Sequence, residues 1–255
     1  MSYLKDNFLL TNKTAEKLYF DYAKDMPIFD YHCHLPEKQI LENKEFGDIF
    51  EVWLGGDHYK WRLMRNYGVS EEYITGNKSN KEKFITYCTV LGTAFGNPLY
   101  HWSQVELKEF FNCEIEINAE NAETIWNWCN DYIKLNHVTP QKLIEQSDVK
   151  YLFTTNEIFD DLTTFEKIAE KNYKFKVIPA FRADKIMNVA AKGYAGFIKK
   201  LQELTFEIND IDALEKAVEE RLKAFIKAGT TFQAFAFLSL SAKRNIRPYF
   251  RRRKT

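Results

Sequence analysis

The sequence has no excess of either charge: 36 lysines and arginines stand against 36 aspartates and glutamates. No overall field therefore points to nucleic acid or to an anionic membrane surface. No apolar run approaches the length of a membrane span. The opening residues, Met1-Ser2-Tyr3-Leu4-Lys5-Asp6, lack the basic-then-apolar pattern of a signal peptide. Cysteine is scarce, and Cys33, Cys88, Cys113 and Cys129 show no Cys-x-x-Cys spacing. They sit in apolar or helical surroundings, which predicts reduced thiols and a cytoplasmic protein. Aromatic residues, by contrast, make up 16% of the 255 residues. That stock suits a substantial packed core, in one large domain or two small ones.

The most informative stretch is Pro27-Ile28-Phe29-Asp30-Tyr31-His32-Cys33-His34-Leu35. It reads as a buried strand that ends in two histidines spaced i, i+2. On a strand such positions share a face, so His32 and His34 project together and Cys33 turns away. Two neutral imidazoles converging on one point form half of a metal site. The alternative is one packed histidine and one on the surface; the pairing at a strand end favours ligands.

Around this stretch the chain divides into segments. Thr14 to Ala23 predicts a helix, with Leu18, Tyr19 and Tyr22 at helical spacing, and with the first strand it makes a segment 1–35. Segment 36–146 is helical almost throughout. Ala122, Ile125, Trp126, Cys129 and Ile133 line one helix face, and Thr139-Pro140 supplies an N-cap with proline at N1. So long a helical block is an insertion, not a loop. Segment 147–229 alternates: strands at Val149–Thr155 and Phe175–Ala180, helices at Asp161–Lys171 and Tyr194–Thr205, and a helix capped by Asp210 and closed by Gly229. Strand–helix alternation predicts an α/β chain with a parallel sheet of three or four strands. Segment 230–255 breaks the pattern, crowding Lys243, Arg244, Arg247, Arg251, Arg252, Arg253 and Lys254 with no acidic residue. We read it as a chain shifted out of its reading frame; a nucleic-acid-binding tail is the functional alternative.

Two further clusters carry chemistry. Gly55-Gly56-Asp57-His58-Tyr59-Lys60-Trp61-Arg62 joins a glycine bend to a helix-like run. An amphipathic surface helix accounts for Lys60 and Arg65, and for His58 and Tyr59 less well, because they stand where a ligand can approach. In Val177-Ile178-Pro179-Ala180-Phe181-Arg182-Ala183-Asp184, an arginine stands just past a strand, at the rim where α/β folds bind ligands. Arg182 either clamps a carboxylate or pairs with Asp184, and both readings stay open. His101, in Gly96 to Trp102, is expected to pack within the insertion.

These motifs together resemble the uronate isomerase (glucuronate isomerase) family of the amidohydrolase superfamily, from the N-terminus to about Gly229. The resemblance implies the N-terminal part of a metal-dependent (β/α)8 barrel with a long helical insertion after the first strand. It implies isomerisation of D-glucuronate to D-fructuronate and of D-galacturonate to D-tagaturonate. His32 and His34 then fall on the family's metal ligands for a divalent ion, usually zinc, His58 and Tyr59 on its substrate-contacting pair, and Arg182 on its carboxylate-binding arginine. The partner implied is a small hexuronate, with neither membrane nor nucleic acid.

The chain also departs from the family. Family members are nearly twice as long, and their metal-binding aspartate, the third protein ligand, has no counterpart here. Thr154-Thr155-Asn156-Glu157-Ile158 stands where Thr-Thr-Asp-Asp-Pro is usual. We therefore expect this chain by itself to hold zinc weakly, to fold poorly with open sheet edges, and to show little isomerase activity. A different metal-dependent hydrolase of the superfamily, or a non-enzymatic fragment with a basic tail, are the competing readings.

Overall fold

A computed structural model describes residues 4–231 and 233–234. The basic run predicted as a tail lies outside the described residues. In chain order the elements are α1 (Lys13–Leu18), β1 (Ile28–Asp30), α2 (Glu37–Glu42), α3 (Ile49–Trp53), α4 (His58–Asn66), α5 (Asn80–Leu91), α6 (Pro98–Phe111), α7 (Ala122–Asn136) and α8 (Pro140–Gln146). There follow β2 (Val149–Glu157), α9 (Thr163–Ala169), β3 (Lys176–Arg182), α10 (Asp184–Met187), α11 (Tyr194–Leu204), α12 (Ile211–Lys227) and β4 (Gln233–Ala234). They group into two compact units: the residues up to Met26 with Asn43–Gln146, and Pro27–Glu42 with the described residues from Ser147 on.

In the helical unit, short polar side chains start the helices by accepting from backbone N–H groups that the first turn leaves unpaired. Asp48 accepts from Glu51, Asp57 from Tyr59 and Lys60, and Asn97 from Leu99 ahead of Pro98. Ser79 and Glu82 form a reciprocal capping box on α5. The apolar faces of these helices meet in one core built on Trp53, Phe84, Tyr87, Leu107, Phe111, Ile125 and Cys129. Trp53 and Phe84 stack there with ring centroids 5.7 Å apart. The expected stripe on α1 is not buried: Leu18, Tyr19 and Tyr22 are exposed. After Leu18 the helix widens into a π turn, in which the Lys24 N–H reaches the Tyr19 carbonyl. The extra residue in that turn takes the apolar positions off a common face.

The second unit is a four-stranded parallel sheet in the order β1-β2-β3-β4. Helices α9 and then α10 to α12 make the crossovers after β2 and β3, and short strands joined this way are buried on both faces. Its second layer rests on Ile158, Phe181, Tyr194, Phe197, Ile198, Leu201, Leu214 and Phe225. Along α12, Leu214 and Phe225 are buried and Ile211, Val218 and Leu222 pack against the same core, whereas Ile226 is exposed. This helix ends in a Schellman arrangement: Gly229 has φ +107°, its N–H bonds Ile226, and the Thr230 N–H bonds Phe225.

The strands depart from expectation. β2 runs on to Glu157, so Asn156 lies inside the strand and is buried. β1, expected to be buried, is not: Ile28 is 48% and Phe29 53% exposed. It is an edge strand that pairs with β2 on one side, and an apolar run says nothing about whether a neighbour covers it. No helix among the described residues is long and apolar enough to cross a membrane.

Candidate functional site

The residues singled out in the sequence lie in three places. Just past β1, the ladder with β2 continues through Cys33, whose N–H donates to the Phe153 carbonyl at 2.9 Å and whose carbonyl accepts from Thr155 Oγ1 at 2.8 Å. Pinned on that side, the chain leaves His32 and His34 exposed on the other. Their Nε2 atoms stand 3.1 Å apart and their rings are 74° to each other. Two imidazole nitrogens bound to one zinc at about 2.0–2.1 Å each, near the tetrahedral angle, lie about 3.3 Å apart. The pair therefore fits a shared divalent ion; without one, an N–H of one ring donates to the other.

Two ionisable side chains flank this pair. Burial pushes the Cys33 thiol up to about 11, so it stays protonated. Burial also raises the Asp30 carboxyl, against the backbone bond and charge of His32. Among the described residues no group of three His, Cys, Asp or Glu side chains is arranged to hold an ion.

His58 and Tyr59 form the first turn of α4 in the helical unit. Both are exposed, with ring centroids 4.2 Å apart at 32°. Of the two preceding glycines, Gly55 is required, because a Cβ there would come within 2.9 Å of the Glu51 carbonyl oxygen; Gly56 faces open space. Tyr59 and Arg62 of α4, the α6 cap Asn97, and Leu99 and Trp102 of α6 border a cavity of about 440 Å³. His101 packs against Phe8 and Tyr100, with ring centroids 5.4 and 5.7 Å away.

Lys60 overturns the reading of this helix as a surface helix with an exposed lysine. It is 5% exposed. Its ammonium lies 3.4 Å from Glu106 of α6, 3.8 Å from Asp57 and 5.1 Å from the centre of the Trp53 ring. Nothing local announces this, since Glu106 is 46 residues away.

Arg182 is the last residue of β3 rather than the first beyond it, and pairs in register with Glu157, the last of β2. Its Nε donates to Asp184 at 3.0 Å, while Lys185 reaches Glu157 at 3.1 Å. The Asp184 bond occupies one of the five guanidinium N–H donors, so the ion pair does not exhaust the capacity for a carboxylate. On the same end of the sheet the segment Thr154-Thr155-Asn156-Glu157 is fully knitted in. Thr154 Oγ1 donates to Asn156 Oδ1 at 2.6 Å, Asn156 Nδ2 donates to Asp160 at 3.2 Å, and Asp160 accepts from the Glu157 N–H at 2.9 Å.

The chain matches the family model described as glucuronate isomerase over residues 1–252. It is 44% identical over 230 residues to a uronate isomerase of Clostridium acetobutylicum, covering 89% of this chain and 49% of that one. A uronate isomerase of Clostridium perfringens is 43% identical over 229 residues, with the same shares. Among solved structures, the uronate isomerase of Thermotoga maritima superposes with a TM-score of 0.83 at 38% identity, over 90% of this chain and 50% of that one. The glucuronate isomerase of Caulobacter crescentus gives 0.81 at 21% identity, over 93% and 53%, a likeness of fold alone. The chain spans about half the length of the curated relatives it matches.

Proposed function

The chain belongs to the glucuronate isomerase family, and on that premise we propose that it serves the aldose–ketose isomerisation of hexuronates. D-glucuronate becomes D-fructuronate and D-galacturonate becomes D-tagaturonate, in the cytoplasm. In this reading β1 to β4 are consecutive strands of a metal-dependent (β/α)8 barrel, and the helices between β1 and β2 are an insertion. The observation that carries the proposal is the convergence of the His32 and His34 Nε2 atoms to 3.1 Å at the end of a strand.

The transformation moves a proton between C2 and C1 of an open-chain sugar acid. A divalent ion, zinc by the character of two imidazole donors, would be held by His32 and His34 and would supply Lewis-acid polarisation of the substrate oxygens. His58 and Tyr59 offer an imidazole and a phenol able to take and return that proton and to hold a hydroxyl. Arg182 binds the uronate carboxylate through N–H donors not used by Asp184. Small polar substrates need such fixed charges because they bring little apolar surface to bury.

Titrating the chain, with zinc present, with D-glucuronate, D-galacturonate and the neutral sugar D-glucose tests the proposal. Both uronates bind, glucose does not, and Arg182→Ala removes the difference. Absence of uronate binding, or hydrolysis of esters or lactams by a chain that ignores uronates, overturns it.

A further inference from the structure

We propose that Lys60 and Glu106 are positioning residues: the ion pair between the buried Lys60 ammonium and the half-buried Glu106 sets the direction in which the first turn of α4 presents His58 and Tyr59. This rests on the functional reading of His58 and Tyr59 given above.

The energetics of Lys60 are unfavourable on two counts. A lysine ammonium taken out of water loses hydration that one partner restores incompletely. Lys60 is also the third residue of α4, and a cation in the first turn faces the positive end of the helix dipole. Hydrophobic side chains of similar volume in place of a buried pair often leave stability level or raise it, and the half-buried Glu106 keeps part of its hydration. Stability alone therefore gives no reason for this lysine.

Geometry does. The Lys60 ammonium is tied to α6 by Glu106, to the Trp53 ring of α3, and to Asp57 of its own turn. Asp57 in turn accepts from the N–H groups of Tyr59 and Lys60, at 2.9 and 3.1 Å. Residues 57 and 60 thus hold the turn inward from both ends. The two side chains between them, His58 and Tyr59, are the ones left exposed. Glu106 is itself seated on α6 one turn from Ser103, whose hydroxyl bonds the buried Tyr87 hydroxyl at 3.1 Å. The ammonium ties the turn to named atoms on α6 and α3, whereas apolar contacts are non-directional, so a packed methionine could fill the space without fixing the rotation of the turn.

The test uses Lys60→Met/Glu106→Leu, which leaves no charge stranded, with Glu106→Gln as the variant that keeps shape and removes only the charge. Thermal unfolding reads stability, the side-chain NMR signals of His58 and Tyr59 read the turn, and titration with D-glucuronate in the presence of zinc reads the site. We expect the double variant to melt at or above the parent temperature, to shift or double the His58 and Tyr59 signals, and to bind D-glucuronate about 10- to 100-fold more weakly. Glu106→Gln shows the same pattern to a smaller degree. If the double variant keeps the parent signals and affinity, the positioning role is wrong. If the parent chain binds no D-glucuronate, the functional reading fails instead, and the NMR signals alone decide the role of the pair.

Discussion

Replacing Gln104 with leucine should destabilise the helical unit by about 1 kcal/mol net, for a reason that can be worked out atom by atom. Gln104, on α6, is 2% exposed. Its Nε2 donates to the Ile115 carbonyl at 2.9 Å, and its Oε1 accepts from the Ile117 N–H at 3.0 Å. Leucine removes both partners. Ile117 is 1% exposed, so its N–H is stranded at about 1–3 kcal/mol. The half-buried Ile115 carbonyl finds water and costs less. Leucine returns part of this by burying a wholly apolar side chain, worth at most about 2 kcal/mol. The net should remain a loss, read by urea unfolding followed through the tryptophans and by faster hydrogen exchange at the Ile117 amide.

Gln104→Glu makes the argument sharper. As a carboxylate the new group cannot donate to Ile115 and loses its hydration. Its folded pKa must therefore lie above its unfolded value, near 4.3. Protonation then favours the folded state: the deficit of this variant shrinks as pH falls through the raised pKa and is full above it. A Gln104→Leu protein within about 0.5 kcal/mol of the parent, or a Gln104→Glu deficit independent of pH, would mean that the Gln104 amide does not carry these two backbone groups.

Three shorter expectations follow from other places. The Arg65 guanidinium, whose Nε and Nη2 reach the exposed Glu71 at 2.9 and 2.6 Å, holds that carboxyl at about 2, below its ordinary 4.5. Any stability it contributes is present above about pH 4.5 and fades as pH falls towards 2; a carboxyl-carbon NMR titration should give the low midpoint, and Arg65→Ala should raise it. Gly229→Ala should cost about 1–2 kcal/mol, because φ +107° lies where a Cβ is strained; an unchanged melting curve would show that α12 closes in another way. Zinc added to the chain should bind through His32 and His34, be lost on dialysis because no third protein ligand stands beside them among the described residues, and bind no longer in His32→Ala; tight stoichiometric zinc in the dialysed chain would mean that other residues complete the site.

Much of this protein was legible in its sequence wherever the cause was local. Thr139-Pro140, Asp210 and Gly229 start or stop helices through contacts within a few residues, so α8 and α12 follow from spacing alone. The i, i+2 pair of His32 and His34 converges because the chain just past β1, still paired to β2 through Cys33, keeps the alternation of a strand. The alternation after Ser147 likewise forces crossovers and hence a parallel sheet.

Tertiary structure decided what depended on distant partners. Lys60 looks like any lysine on an amphipathic turn until α6 brings Glu106 to its ammonium and Trp53 covers it. Arg182 had two chemically equal partners in prospect, and the backbone after β3 brought Asp184 to its Nε. Ile28 and Phe29 are as apolar as any core strand, yet they remain exposed because the edge of a sheet is a matter of which strand pairs with which. The division into units is of the same kind: Pro27–Glu42 lies between two stretches of the helical unit in sequence but joins the sheet. Backbone caps and side-chain periodicity act over one or two turns, whereas burial and ion pairing are set by chain segments brought together from tens of residues apart.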